Sequence, residues 1–261
     1  MLYNGLRNGC SIMVFYVSLA CSLLVSDIAA AQVGDFKQST HITLVNFLTG
    51  RFDVENAVEF TKIGYPYAIR PMYLRSDTFA AFKSMRAAAL KDGVNLVIVS
   101  GFRSYNDQVR IWERNYKRVS LSETDVSDRV KRILYYSSPP GVSRHHWGCE
   151  VDLNSVSPYY FNTTEGKKVA KWLMTHAKRF DFYLTYNEGR LKGFKSEPWQ
   201  YSYYPTASKI MSFFRLYISA VNVDGFKGSH AVDVAKILDE YIIAINPEIL
   251  KRMQLEGKIV Y

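Results

Sequence analysis

The alternation of apolar and polar positions lays out most of the chain. Over residues 78–91, Phe79, Phe82, Ala89 and Leu90 recur at helical spacing, with Asp77 placed to cap the start and Gly93 to end it. The run 95–100 (NLVIVS) is short, apolar and β-branched between turn residues, which predicts a buried strand. A second helix is expected after Ser104, through Ile111 and Trp112. A third covers about 125–136 and is stopped by Pro139-Pro140-Gly141. Segments 150–153, 182–186 and 200–204 read as strands, and 164–179 as a helix. Beyond Pro205 the pattern turns helical, at about 208–221 and 231–244, while residues 32–72 read as an irregular lead-in with a short helix. Helices and strands alternate without evenly spaced βαβ units. That predicts an α+β fold, with a small central, mainly antiparallel sheet flanked by helices and a helical C-terminal extension.

The N-terminus changes the picture of where the chain works. Arg7 precedes an apolar stretch at 12–25, and Ala29-Ala30-Ala31 offers a small-x-small cleavage site. The apolar run is shorter than the roughly 20 residues needed to cross a bilayer core. Residues 1–31 are therefore expected to be a signal peptide that exports the protein to the periplasm or cell envelope. A leader left uncleaved would tie it to the membrane. A lead-in over 32–72, a domain over 73–206 and an extension over 207–261 would follow. Cys10 and Cys21 fall in the leader, so Cys149 is alone in the mature chain and forms no internal disulfide.

With 261 residues, 48% of them hydrophobic, the chain can bury a sizeable core. The formal charge of +9 is not gathered into a Lys/Arg run and accompanies no nucleic-acid motif. Wall polymers or anionic lipid are the expected partners rather than nucleic acid. A monomer is expected.

Three segments carry candidate chemistry, each at a turn beside an expected strand. In SGFRSYNDQ (100–108), Arg103 follows a strand, with Ser104 and Gln108 close by. A guanidinium held there can bind a carboxylate or polarise a carbonyl oxygen. In SRHHWGCEVD (143–152), His145 on a turn and Asp152 on a strand can converge on one cation, and imidazole nitrogen with carboxylate oxygen suits zinc. In SEPWQYSYY (196–204), Glu197 precedes an aromatic-rich strand and is the residue type that serves as general base in zinc peptidases. Taken singly, each also fits an ordinary surface residue. Their order is what makes them specific.

In that order the chain resembles the VanY-like D-alanyl-D-alanine carboxypeptidases, which carry SGxRS, SxHxxGxxxD and ExxH segments. Here these read Ser100-Gly101-Phe102-Arg103-Ser104, then Ser143 through Asp152, then Glu197-Pro198-Trp199-Gln200. Position by position, the resemblance implies that His145 and Asp152 bind zinc and that Glu197 is the catalytic base. It implies that Arg103 stabilises the developing oxyanion, while Ser104, Gln108 and Ser143 contact substrate. The implied substrate is a peptidoglycan stem peptide, losing its terminal D-alanine. The implied fold is a small α+β domain with a central antiparallel sheet.

One position departs from the family. The histidine closing ExxH is Gln200, whose amide oxygen is a neutral and weaker donor for zinc than imidazole. Three arrangements remain open: Gln200 ligates directly, adjacent His146 completes the shell, or metal is not held and the domain is a non-catalytic peptidoglycan-binding module. A metallopeptidase of the same fold cutting an L,D bond is a more distant reading. His176, beside Trp172, Leu173 and Phe180, and Cys149, in the site loop, are expected to be packing residues.

Overall fold

The computed structural model describes residues 44–119 and 125–258. The expected leader over 1–31 and the first part of the lead-in lie outside the described residues.

The expected α+β architecture is present. A four-stranded antiparallel sheet has the order β3 (Ile98–Ser100), β4 (Glu150–Leu153), β6 (Gln200–Tyr203), β5 (Phe182–Leu184). Side chains alternate between the faces of a strand. One face of this sheet therefore carries Ile98, Val151, Leu153 and Tyr201. These residues join Phe82, Met85 and Ala89 of helix α2 (Ser76–Lys91) and Val169, Trp172 and Leu173 of α5 (Thr164–His176) in one buried core. The other face carries Glu150, Asp152, Gln200 and Ser202, all buried. β4 has no solvent-facing side, so its polar residues have a second layer over them.

That layer is a 3-10 turn over Arg144–Trp147 together with the C-terminal helices. Helix α6 (Tyr204–Tyr217) begins directly at the end of β6, with Pro205 in its first turn, where a missing N–H costs nothing. Its Phe214 packs edge-on against Trp147 at 5.0 Å between centroids, and Met211 receives the Arg144 guanidinium. The C-terminal segment thus walls the polar face of the sheet.

Helix α3 (Tyr105–Arg118) starts at Ser104 through a capping box, in which the Ser104 hydroxyl accepts from the Asp107 amide and the Asp107 carboxylate accepts from the Ser104 amide. Helix α4 (Val126–Leu134) follows, capped by Asp125.

Several local expectations are corrected. The lead-in contains the expected short helix, α1 (Leu44–Thr49), but also a two-stranded antiparallel ladder of β1 (Phe60–Ile63) and β2 (Met72–Arg75). Asp77 is not the N-cap of α2. It sits in the first turn and accepts from Thr78 and Thr206, and Arg75 holds the cap position. The buried stripe of α2 runs through Thr78, Phe82, Met85 and Ala89, leaving Leu90 exposed. The helix expected over 231–244 is a short α7 (Val234–Ile237) continuing into a π turn, and a last helix, α8 (Pro247–Leu255), was not anticipated.

Candidate active site

The three segments converge on one cleft of about 270 Å³, lined by Arg103, Gln108, Ser143, His145, Asp152, Glu197 and Gln200, with Tyr186 and Trp199 on its walls. Convergence follows from register. Asp152 on β4 lies directly opposite Gln200 on β6, so both side chains rise from the same face. The 3-10 turn ends at Gly148, whose φ is +73°, and a Cβ there would come within 2.3 Å of the Phe60 ring. Only glycine lets the chain leave the turn and enter β4 at that point. The Arg103 amide donates to the His145 carbonyl at 3.1 Å, which fastens the 101–104 loop to the turn.

His145 is fully oriented. Its Nδ1 lies 2.8 Å from the Gly101 carbonyl oxygen, which can only accept, so Nδ1 carries the proton. Nε2 is then the ring nitrogen that faces Asp152, 3.4 Å from its Oδ1. Both atoms are buried, and neither has a hydrogen-bond partner among the described residues. Asp152 Oδ2 accepts from Arg103 Nη2 at 2.7 Å, while Arg103 Nε donates to Ser100. Burial opposes ionisation of Asp152, but the neighbouring His145 and the Arg103 charge outweigh it and hold the carboxyl below its usual range.

This pair fits a divalent cation. Two donors on a tetrahedral zinc, each about 2.0–2.1 Å from the metal, stand roughly 3.3 Å apart. Among the described residues no third His, Cys, Asp or Glu joins the pair as a donor. Gln200 is the polar group directly across from Asp152 and can supply the third.

Glu197 is half-buried at the cleft. Burial, and next the Asp152 charge, push its carboxyl up to about 8, with Arg103 opposing.

The remaining expected residues are placed as follows. Gln108 is buried, and its Nε2 donates to the Ser138 carbonyl at 2.8 Å, while its Oε1 has no partner among the described residues. Ser143 is buried on the cleft wall. Ser104 lines an adjoining groove rather than the central cleft, and its hydroxyl serves the cap of α3. His146 is not a substitute ligand. Nδ1 donates to the Arg103 carbonyl at 2.7 Å, and Nε2 accepts from the Gly141 amide at 3.1 Å. Burial lowers its pKa to about 3, so it is a neutral strut between two loops. Burial also pushes the Cys149 thiol well up, consistent with a packing role.

Sequence reasoning passed over Glu150 and Arg144, a fully buried ion pair behind Asp152 and Gln200. The available signal was alternation. Glu150 lies two residues before Asp152 on one strand, hence on the same face.

Comparison with known proteins finds relatives over the same part of the chain. Residues 71–206, just over half of the chain, match the family model "VanY: D-alanyl-D-alanine carboxypeptidase". The chain is 31% identical over 150 residues to a putative carboxypeptidase, YodJ, of Bacillus subtilis (strain 168), covering 56% of this chain and 50% of that protein. It is 27% identical over 118 residues to a D-alanyl-D-alanine carboxypeptidase of Enterococcus faecalis, covering 44% and 42%. It therefore spans about half the length of these curated relatives. Among solved structures it is similar to VanYB in complex with D-alanine-D-alanine, with 23% identity, a TM-score of 0.48, and coverage of 62% of this chain and 84% of that one. The ordered segments, their convergence on one cleft and the match over residues 71–206 place the chain in the VanY family of D-alanyl-D-alanine carboxypeptidases.

Proposed function

We propose that this protein is an exported, zinc-dependent carboxypeptidase that removes the terminal D-alanine from peptidoglycan stem peptides. The observation that carries the reading is the pair of buried, unpartnered donors, His145 Nε2 and Asp152 Oδ1, beside Glu197. Unpartnered buried polar atoms are costly, so two that face each other mark a place built for a third party. The leader pattern in residues 1–31 supports export.

His145, Asp152 and Gln200 would hold the metal, and a bound zinc would polarise the scissile carbonyl and raise the acidity of water. Glu197 takes the proton from the attacking water at its carboxylate and returns it to the departing amine of D-alanine. Arg103 keeps Asp152 ionised and aimed, and its positive charge faces the same cleft, where negative charge develops on the carbonyl oxygen. Gln108 and Ser143 offer polar contacts along the cleft wall, and Ser104 does so from the adjoining groove.

A second reading, a peptide-binding protein without catalysis, is favoured by Gln200 standing where the family has histidine. The two are separated by assaying D-alanine release from a pentapeptide stem before and after chelation. Chelator-sensitive release supports the enzyme. Peptide binding that survives chelation, with no release at any zinc level, supports the binding module.

A further inference from the structure

Glu150 lies at the centre of a closed set of donors and has no exposed surface. Its Oε1 accepts from Arg144 Nε at 2.9 Å, from Arg144 Nη2 at 2.8 Å and from the Ser202 hydroxyl. Its Oε2 accepts from Thr185 Oγ1 at 2.8 Å and from Gln200 Nε2 at 3.0 Å. The last contact decides a question of chemistry. A glutamine amide has one donor end and one acceptor end, and a carboxylate can only accept. Reversing the amide would set Gln200 Oε1 against Glu150 Oε2, lone pair to lone pair, in a buried site. Gln200 therefore turns its nitrogen inward, and the oxygen is the end left for the cleft it shares with His145 and Asp152. The main chain is held as well, because the Gln200 carbonyl accepts from the Thr185 amide at 2.9 Å.

We infer that Glu150 is a positioning residue that orients the Gln200 amide so that Oε1 completes a His-Asp-Gln metal site. The inference rests on the metal-dependent reading above. A buried ion pair is on average no more stabilising than apolar groups of the same volume, so stability alone does not account for a charge at this place. Positioning by Glu150 also accounts for the use of glutamine as a ligand. An unrestrained amide would present either end, whereas one locked by a carboxylate presents oxygen alone, as outer carboxylates lock ligating histidines.

The test is zinc affinity, measured by competition with a chromophoric chelator on folded protein, with folding checked by circular dichroism. Glu150→Gln removes the enforced orientation while keeping the shape. It is expected to weaken zinc binding roughly ten- to a hundredfold. Adding Gln200→Glu to Glu150→Gln exchanges donor and acceptor, again leaving an oxygen for the cleft. Gln200→Glu alone sets two carboxylates against each other and is expected to bind zinc more weakly than that double variant, an order that a merely structural role for Glu150 would not produce. Zinc affinity unchanged in Glu150→Gln, or the single Gln200→Glu variant binding as tightly as the double, overturns the inference. Should Glu150→Gln not fold, Glu150→Asp decides, because it keeps the charge beside Arg144 but draws the carboxylate back from Gln200: a comparable loss of affinity upholds the inference, and none overturns it. A folded wild type that binds no zinc would overturn the metal-dependent reading together with this one, whereas zinc binding indifferent to both positions would overturn this one alone.

Discussion

His145 Nε2 and Asp152 Oδ1 stand 3.4 Å apart, each buried and each without a hydrogen-bond partner among the described residues. Their outer atoms are fully engaged, Nδ1 with the Gly101 carbonyl and Oδ2 with Arg103, so neither side chain can turn away to find another partner. His145→Ala is expected to abolish zinc binding, read as metal content after dialysis against trace zinc. Near-stoichiometric zinc remaining in the variant would move the site elsewhere.

Glu197→Gln is expected to lower D-alanine release roughly 10²- to 10⁴-fold while stem-peptide affinity stays within a few-fold. Retained turnover would assign the base to another group.

The same side chain should mark the pH dependence of the metal-free protein. Its folded pKa of about 8 lies above the usual 4.5, so the folded state holds the extra proton between those values. Stability from this group is full below pH 4.5 and declines as the pH rises toward 8. Urea unfolding of the chelated protein should show that decline, and Glu197→Gln should remove it.

His146 acts in the opposite direction. Held neutral with a pKa near 3 against the usual 6.5, it contributes stability that is present above pH 6.5 and lost as the pH falls toward 3. The expected slope is about 1.4 kcal/mol per pH unit. Denaturant titrations at several pH values should show it flattened in His146→Gln. An unchanged slope would assign the acid transition to a different group.

Gln200→His should raise zinc affinity, because imidazole is the better donor and its second N–H can take the place of the amide on Glu150. The chelator competition described above reads the change, and weaker binding would mean that the strand places position 200 too far from the metal for imidazole.

The parts of the protein that were legible depended on local patterns. The α2, α3 and α5 helices, the strand at β4 and the order of the three motif segments are written in periodicities of two and 3.6 and in short residue runs. These identify His145, Asp152, Glu197 and Gln200 as a group. The Ser104–Asp107 capping box, seen only in the structure, shows why Ser104 is bound to its own helix end.

What only the tertiary structure decided are relations between residues far apart in the chain. The pairing of Asp152 with Gln200 and of Glu150 with Ser202 depends on one register between β4 and β6, and a slip by one residue would send all four side chains to the opposite face. The engagement of both His146 nitrogens depends on where two loops cross, whereas adjacency in sequence had left His146 open as a substitute ligand. The orientation of the Gln200 amide depends on a carboxylate 50 residues away. Sequence determines which donors are present, through side-chain chemistry and local spacing. Folding determines which of their atoms remain free, because hydrogen-bond satisfaction in a buried layer is settled only when the layers meet.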